Sequence, residues 1–156
     1  MTRARIVNRM ARLSWLSGDR TGAAAIEFAL LAPLFFLIFF GVFQVAVYLQ
    51  NYNAVQSLAS DGARYVMVEY QKNNTLSDEQ IRSVVLGEAV NSPYMLNTDQ
   101  LTVNVARPDS SRIDGTTEIE IALEYQLSDF LPGVELPLSK VKYDRPVFVT
   151  SGDVDD

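Results

Sequence analysis

The chain has 156 residues, a formal net charge of −6, and neither cysteine nor histidine; that length holds one small domain plus an anchor. Missing cysteine removes disulfides, thiolate metal sites and thiol nucleophiles, and missing histidine removes the commonest general base and transition-metal ligand. Residues 1–22 carry five arginines against one aspartate, whereas residues 50–156 carry eight Lys/Arg against seventeen Asp/Glu, so the outer part lacks the basic surface that nucleic-acid binding needs.

In chain order, the arginine-rich tip comes first, and an apolar run follows it. From Phe28 to Leu49 the only strongly polar side chain is Gln44. At about 1.5 Å of rise per residue these positions span roughly 33 Å, close to the hydrocarbon thickness of a bilayer. The run exceeds the roughly 7–15-residue core of a secretory signal peptide, so a retained anchor is expected, although Ser57-Leu58-Ala59 weakly imitates a signal-peptidase site. Arginines flank its N-terminal side, and the first basic residue beyond it is Arg64. The positive-inside rule then puts the N-terminus in the cytoplasm and the acidic part across the membrane. Within the run, Pro33 leaves the carbonyl of Ala29 unbonded and predicts a local kink. Gly41 offers the small surface that close helix packing uses.

Glu27 is the residue out of keeping with its surroundings. A charge deep in a bilayer costs on the order of 3 kcal/mol; near the boundary snorkelling reduces that cost, and an interfacial glutamate with no role is the plain reading. Its context is Gly22-Ala-Ala-Ala-Ile-Glu27-Phe28, at the junction between basic leader and apolar helix. This pattern resembles the processing site of type IV pilin-like precursors. The resemblance implies a membrane aspartyl prepilin peptidase cutting between Gly22 and Ala23, which leaves Glu27 fifth and Phe28 sixth in the mature chain. Glycine gives an unhindered bond, and the alanines allow close approach while remaining good helix formers. Cleavage would free an α-ammonium of ordinary pKa about 7.7–8. Glu27 of the same or a neighbouring subunit could pair with it and favour register between packed subunits.

The longer stretch Gly22-AAAIEFALLAPLFFLIFFGVF, with Ala59-Ser-Asp-Gly-Ala-Arg-Tyr65 downstream, is similar to the TadE-like minor pseudopilins of the tight-adherence (Flp) pilus system, over roughly residues 15–68. Gln44 stands where many relatives carry an acidic residue. The large part beyond the anchor distinguishes the chain from the short major Flp pilin. The resemblance implies a structural component that initiates, primes or caps assembly of an adhesive pilus, not an enzyme. It further implies a single-pass protein of the bacterial inner membrane with its C-terminal domain in the periplasm. The implied partners are the prepilin peptidase, other pilin-like subunits (a TadF-like pseudopilin and the Flp pilin) and the membrane assembly platform. No cofactor, metal, nucleic acid or small-molecule substrate is expected.

Beyond the anchor, Val55, Leu58, Ala59, Gly62 and Val66 form one helical apolar stripe. A helix unbroken from Ala23 to Tyr70 would be roughly 70 Å long, with Gly62 its weakest point. Residues 71–75 read as a loop. Ser77-Asp-Glu-Gln80 is a capping-box signature that opens a helix to about Asn91, and Ser92-Pro93 ends it. Leu101, Val103 and Val105 then alternate with polar residues. Residues 118–127 form the clearest strand, with Ile119, Ile121, Leu123, Tyr125 and Leu127 on one face and Glu118, Glu120 and Glu124 on a solvated other face. Asp114-Gly115 marks a hairpin turn between them. A third strand is expected within 141–149, with Pro146 pushing it to an edge.

The expected class is α+β: a long N-terminal transmembrane helix leading into a small domain with a second helix and an antiparallel sheet of about three strands. The divisions are a cleaved leader at 1–22, the transmembrane helix at 23–49, the exported domain at 50–150 and an acidic tail at 151–156. Two rivals stand beside this reading. One is a single-pass anchored binding or scaffolding domain with an incidental Glu27; the other is an anchored enzyme, for which no nucleophile–base set appears.

Overall fold

The computed structural model describes residues 20–128 and 138–150, with side chains from Gly22 onward; the leader through residue 19 and the tail at 151–156 lie outside them. Helix α1 (Arg20–Gln71) is continuous and stays helical through Pro33. The chain divides into two compact units between Val42 and Phe43, so the two parts of α1 belong to different units.

In the first unit the helix has no buried side. Phe28, Leu30 and Leu37 are 71%, 74% and 66% exposed, and of the side chains from Gly22 to Val42 only Ala32, Phe40 and Gly41 are even half-buried. An apolar helix with every face open is suited to lipid rather than to a protein core.

In the second unit α1 becomes one-sided. Val55, Leu58, Ala59, Ala63 and Val66 are buried, as the stripe at helical spacing predicts. Helix α2 (Asp78–Ala89) opens on the expected capping box: the Gln80 N–H donates to Ser77 Oγ at 3.3 Å, and the Ser77 N–H donates to Gln80 Oε1 at 2.8 Å. Asp78 and Glu79 also favour the positive end of the helix dipole. The helix stops two residues short of Asn91, because the chain turns there; the N–H groups of Tyr94 and Met95 both donate to the Asn91 carbonyl. Ile81, Val85 and Ala89 are its buried side. The two helices meet at Gly62, where an added Cβ would lie 2.9 Å from Val85 Cγ2. Here glycine is needed for clearance, and the position is a packing point rather than a break in α1.

A 3₁₀ turn (Thr98–Gln100) leads into strands β1 (Leu101–Ala106), β2 (Thr117–Gln126) and β3 (Lys140–Val149), an antiparallel sheet in the order β1-β2-β3. Ile119, Ile121, Leu123 and Tyr125 face the core with Leu101, Val103, Val141 and Val147. The fold is therefore α+β as expected. The link between β1 and β2 is the ten-residue segment 107–116 rather than a tight two-residue hairpin, and Gly115, at φ 75°, supplies its left-handed residue. At the other pairing, the Leu127 N–H donates to the Ser139 carbonyl at 2.8 Å, which fixes the alternation of the ladder. Pro146, opposite Glu120, then falls in a non-hydrogen-bonded pair. Its missing N–H costs no bond to β2, which is how an edge strand tolerates proline.

Candidate functional site

The residues expected to carry function sit at the head of α1. Gly22 and Ala23 lie in its first turn, and Glu27 follows about one turn later. All are exposed, as is Phe28. Among the described residues Glu27 has no hydrogen-bond or ion-pair partner, so its carboxylate is presented outward at the start of an apolar helix. An added Cβ at Gly22 would meet nothing within 4 Å, and the same holds at Gly41. Neither glycine is needed for packing against the described residues. Pro33 is likewise exposed.

Three features of the domain escape a reading of the sequence. The first is Glu118. Period-2 alternation assigns it to a solvated face, yet it is 2% exposed. The segment 107–116 folds back over it. Arg112 donates through its backbone N–H at 2.9 Å and through Nε at 2.7 Å, with a further bond from Nη2, and the guanidinium also lies 5.8 Å from the Phe148 ring centroid. These bonds hold the Glu118 carboxyl below the ordinary carboxylate range. Its neighbour Glu124 does match the expected solvated face, ion-paired at 3.0 Å with both Lys140 and Lys142; those contacts lower its pKa as well.

The second feature is Tyr94, whose hydroxyl donates to Asp61 on α1. Burial, then the Asp61 hydrogen bond, pushes the phenol up to about 12, so it stays a donor at neutral pH. The third is Gln44. It is 2% exposed, and neither its Nε2 nor its Oε1 has a hydrogen-bond partner among the described residues. A signal for its burial was present: Gln44, Tyr48, Val55, Gly62 and Val66 share one helical face. The apolar composition around it concealed that face.

Polar side chains also tie the elements of the domain together. Arg107 ties three elements together: Nε donates to Asp78 Oδ1 at 2.6 Å, Nη1 to the Tyr70 hydroxyl at 3.0 Å and Nη2 to the Leu76 carbonyl at 2.6 Å. Its cation is matched by Asp78. Among the described residues no group of three or more carboxylates is placed to hold a metal ion.

Residues 22–64 match the family model described as TadE-like protein. Over this segment the chain is similar to TadE-like proteins. The match begins at Gly22, runs through Glu27 and the apolar helix, and ends at Arg64, covering the first stretch that carries the resemblance and all of the second but Tyr65. The segment it covers lies in the one helix among the described residues that is long and apolar enough to cross a membrane. No curated protein and no solved structure matches the chain.

Proposed function

We propose that this TadE-like chain is a minor pseudopilin, cut by a prepilin peptidase between Gly22 and Ala23 and then built into, or onto the base of, a tight-adherence pilus. One observation carries the reading: the TadE-like match starts at the glycine of the Gly22…Glu27-Phe28 pattern, and that pattern heads an apolar helix with an exposed carboxylate that has no partner among the described residues. After cleavage, Glu27 is the fifth residue, about one helical turn from the new α-ammonium. A carboxylate that near the membrane boundary gains most from a cationic partner in low dielectric. A neighbouring subunit offers that partner in only one register.

The role is structural. The absence of histidine and cysteine supports it, and so does the ion pairing of Glu118, Glu124 and Arg107 within the domain. In this reading the leader stays cytoplasmic, and the exported domain at 50–150 faces the periplasm, where it meets other pilin-like subunits.

The test is the N-terminus of membrane-extracted protein, made with and without a co-expressed prepilin peptidase. A start at Ala23 that appears only with the peptidase is expected. An unprocessed start in both samples overturns the reading and leaves an anchored domain with an incidental Glu27. Glu27→Ala separates the two again: in a pseudopilin it abolishes piliation while membrane insertion continues.

A further inference from the structure

A short length of α1 is both apolar enough for lipid and packed against the domain. The apolar run continues to Leu49, whereas the second unit begins at Phe43, so the two overlap over residues 43–49. Within the overlap the helix has two sides. Gln44, Val47 and Tyr48 are covered, and Phe43, Val45, Ala46 and Leu49 are exposed. At about 100° per residue the covered residues fall on one half of the circumference and the exposed ones on the other. The covered half faces the core, against which Val47 and Tyr48 pack. The exposed half is wholly apolar, as a surface in contact with hydrocarbon must be. A membrane that takes up the exposed half also reaches the folded domain beside it.

Strand β3 identifies the part of the domain at that level. The Tyr143 ring meets the Tyr52 ring edge-on, with centroids 6.2 Å apart, and Phe148 and Val149 line one small cavity with Met67 and Tyr70. Strand and helix therefore run side by side in the same direction. Lys140 precedes Tyr143 by about 10 Å of strand, and the same distance back from Tyr52 along the helix reaches about residue 45. The start of β3 is thus level with the overlap. Tyr48, stacked on Tyr52 with centroids 6.3 Å apart, completes a cluster of three half-buried tyrosines there. Lys140 and Lys142 stand beside it, exposed on the outer face of the strand. In a domain where carboxylates outnumber cations, these two lysines share one carboxylate, Glu124, at 3.0 Å from each. Asp144 is the next acidic residue along β3.

We propose that this end of the domain is a lipid-contact surface, with Tyr48, Tyr52, Tyr143, Lys140 and Lys142 seated in the phospholipid headgroup layer of the membrane that α1 crosses. The proposal rests on the membrane-anchored reading above. Tyrosine suits that layer because its ring is apolar and its hydroxyl is wet, and it is enriched there. Lysine lays its stem along apolar surface while the ammonium reaches outward, and anionic headgroups attract it. Core packing accounts for half-buried rings but not for two exposed cations beside them. The apolar side of the overlap is continuous along α1 with the rest of the apolar run, so the occupant that reaches it is lipid rather than a protein partner. The domain is then held against the bilayer by one chosen face and is not carried on a free stalk.

Trp15 is the single tryptophan of the chain, so a fluorophore can be moved at will. In full-length Trp15→Phe protein, Tyr143→Trp, Phe148→Trp and Leu49→Trp are made one at a time. Each is reconstituted in phosphatidylethanolamine–phosphatidylglycerol vesicles, with and without lipid brominated high on the acyl chain. Tyr143→Trp is expected to be quenched severalfold more than Phe148→Trp, at the far end of the same strand, and to approach Leu49→Trp. If Leu49→Trp is quenched but Tyr143→Trp no more than Phe148→Trp, the domain stands clear of lipid, and the surface is overturned while the anchor remains. An unquenched Leu49→Trp in vesicle-bound protein puts the membrane boundary before the overlap and overturns the surface equally. Protein that fails to float with the vesicles counts against the anchored reading as well. Should Tyr143→Trp lose the wild-type far-UV spectrum, Lys142→Trp, at the exposed neighbouring position, gives the same comparison.

Discussion

The two parts of α1 obey the same helical geometry and differ in what their side chains meet. From Gly22 to Val42 nearly every face is exposed and apolar, and the one charge of that stretch, Glu27, has no partner among the described residues. After Phe43 one face is buried to completion at Val55, Leu58 and Val66, and the opposite face carries Gln56, Asp61 and Arg64. Sequence hydropathy treats the junction as continuous, since apolar residues run on to Leu49. Burial divides it earlier. The lesson is that hydropathy reports what a helix can tolerate, while the spacing of its apolar residues reports what it touches.

The contrast can be tested most severely by the same truncation on each side. Leu58→Ala in the buried stripe is expected to cost about 2–5 kcal/mol of domain stability. Leu37→Ala in the exposed part should change it by less than about 0.5 kcal/mol. Chemical denaturation of both variants in detergent, followed by tryptophan-independent far-UV signal, is the measurement; equal losses would mean that the exposed part is also core. Next is the helix crossing. Gly62→Val forces a branched side chain toward Val85 Cγ2 and should destabilise by about 1–3 kcal/mol, with much of that loss recovered in the Gly62→Val/Val85→Ala double variant. Failure of the rescue would place the strain elsewhere.

Gln44 sharpens the comparison because it is polar in the apolar part of the sequence yet buried in the domain unit. Its amide has no partner among the described residues, so Gln44→Leu should stabilise the domain by about 1–2 kcal/mol. A loss of stability would show that the amide has a partner after all. The smallest effect expected is in acid. The carboxyls of Glu118, Glu124 and Glu69 are all held below their ordinary 4.5, so in that range the unfolded chain binds more protons than the folded one. Their stabilisation is complete above the unfolded value and is lost as pH falls through the lowered folded values. Glu118→Gln should flatten this acid limb in a pH-dependent melting series, and an unchanged slope would remove Glu118 from the account.

Much of the fold was legible because its signals are local. The capping box at Ser77–Gln80, the alternation of Ile119–Tyr125 and the stripe from Val55 to Val66 each follow from a short period in the chain. The head of α1 was legible for the same reason: a glycine, a glutamate five residues on and an aromatic stand at a charge boundary. What escaped depends on segments folding over one another. Glu118 is buried only because residues 107–116 return across its strand, and nothing in its alternation with Glu120 and Glu124 shows that. Tyr94 reaches Asp61 across 33 positions. Gly62 looked like a flexible point in one dimension, and only the presence of Val85 makes its missing side chain a requirement.

The edge of the sheet has a consequence for how such a protein can be stockpiled. A long strand with free amide and carbonyl groups along its rim is a template for cross-β growth whenever many copies accumulate at one place. On β3 the rim-facing positions of the ladder include Pro146, which offers no donor, and Lys140 and Lys142, whose cations would meet identical cations on any incoming copy. Recruitment through this strand is thereby discouraged, and ordered contact is left to other surfaces. Copies of the chain can therefore crowd together with less tendency to grow into fibrils through this edge.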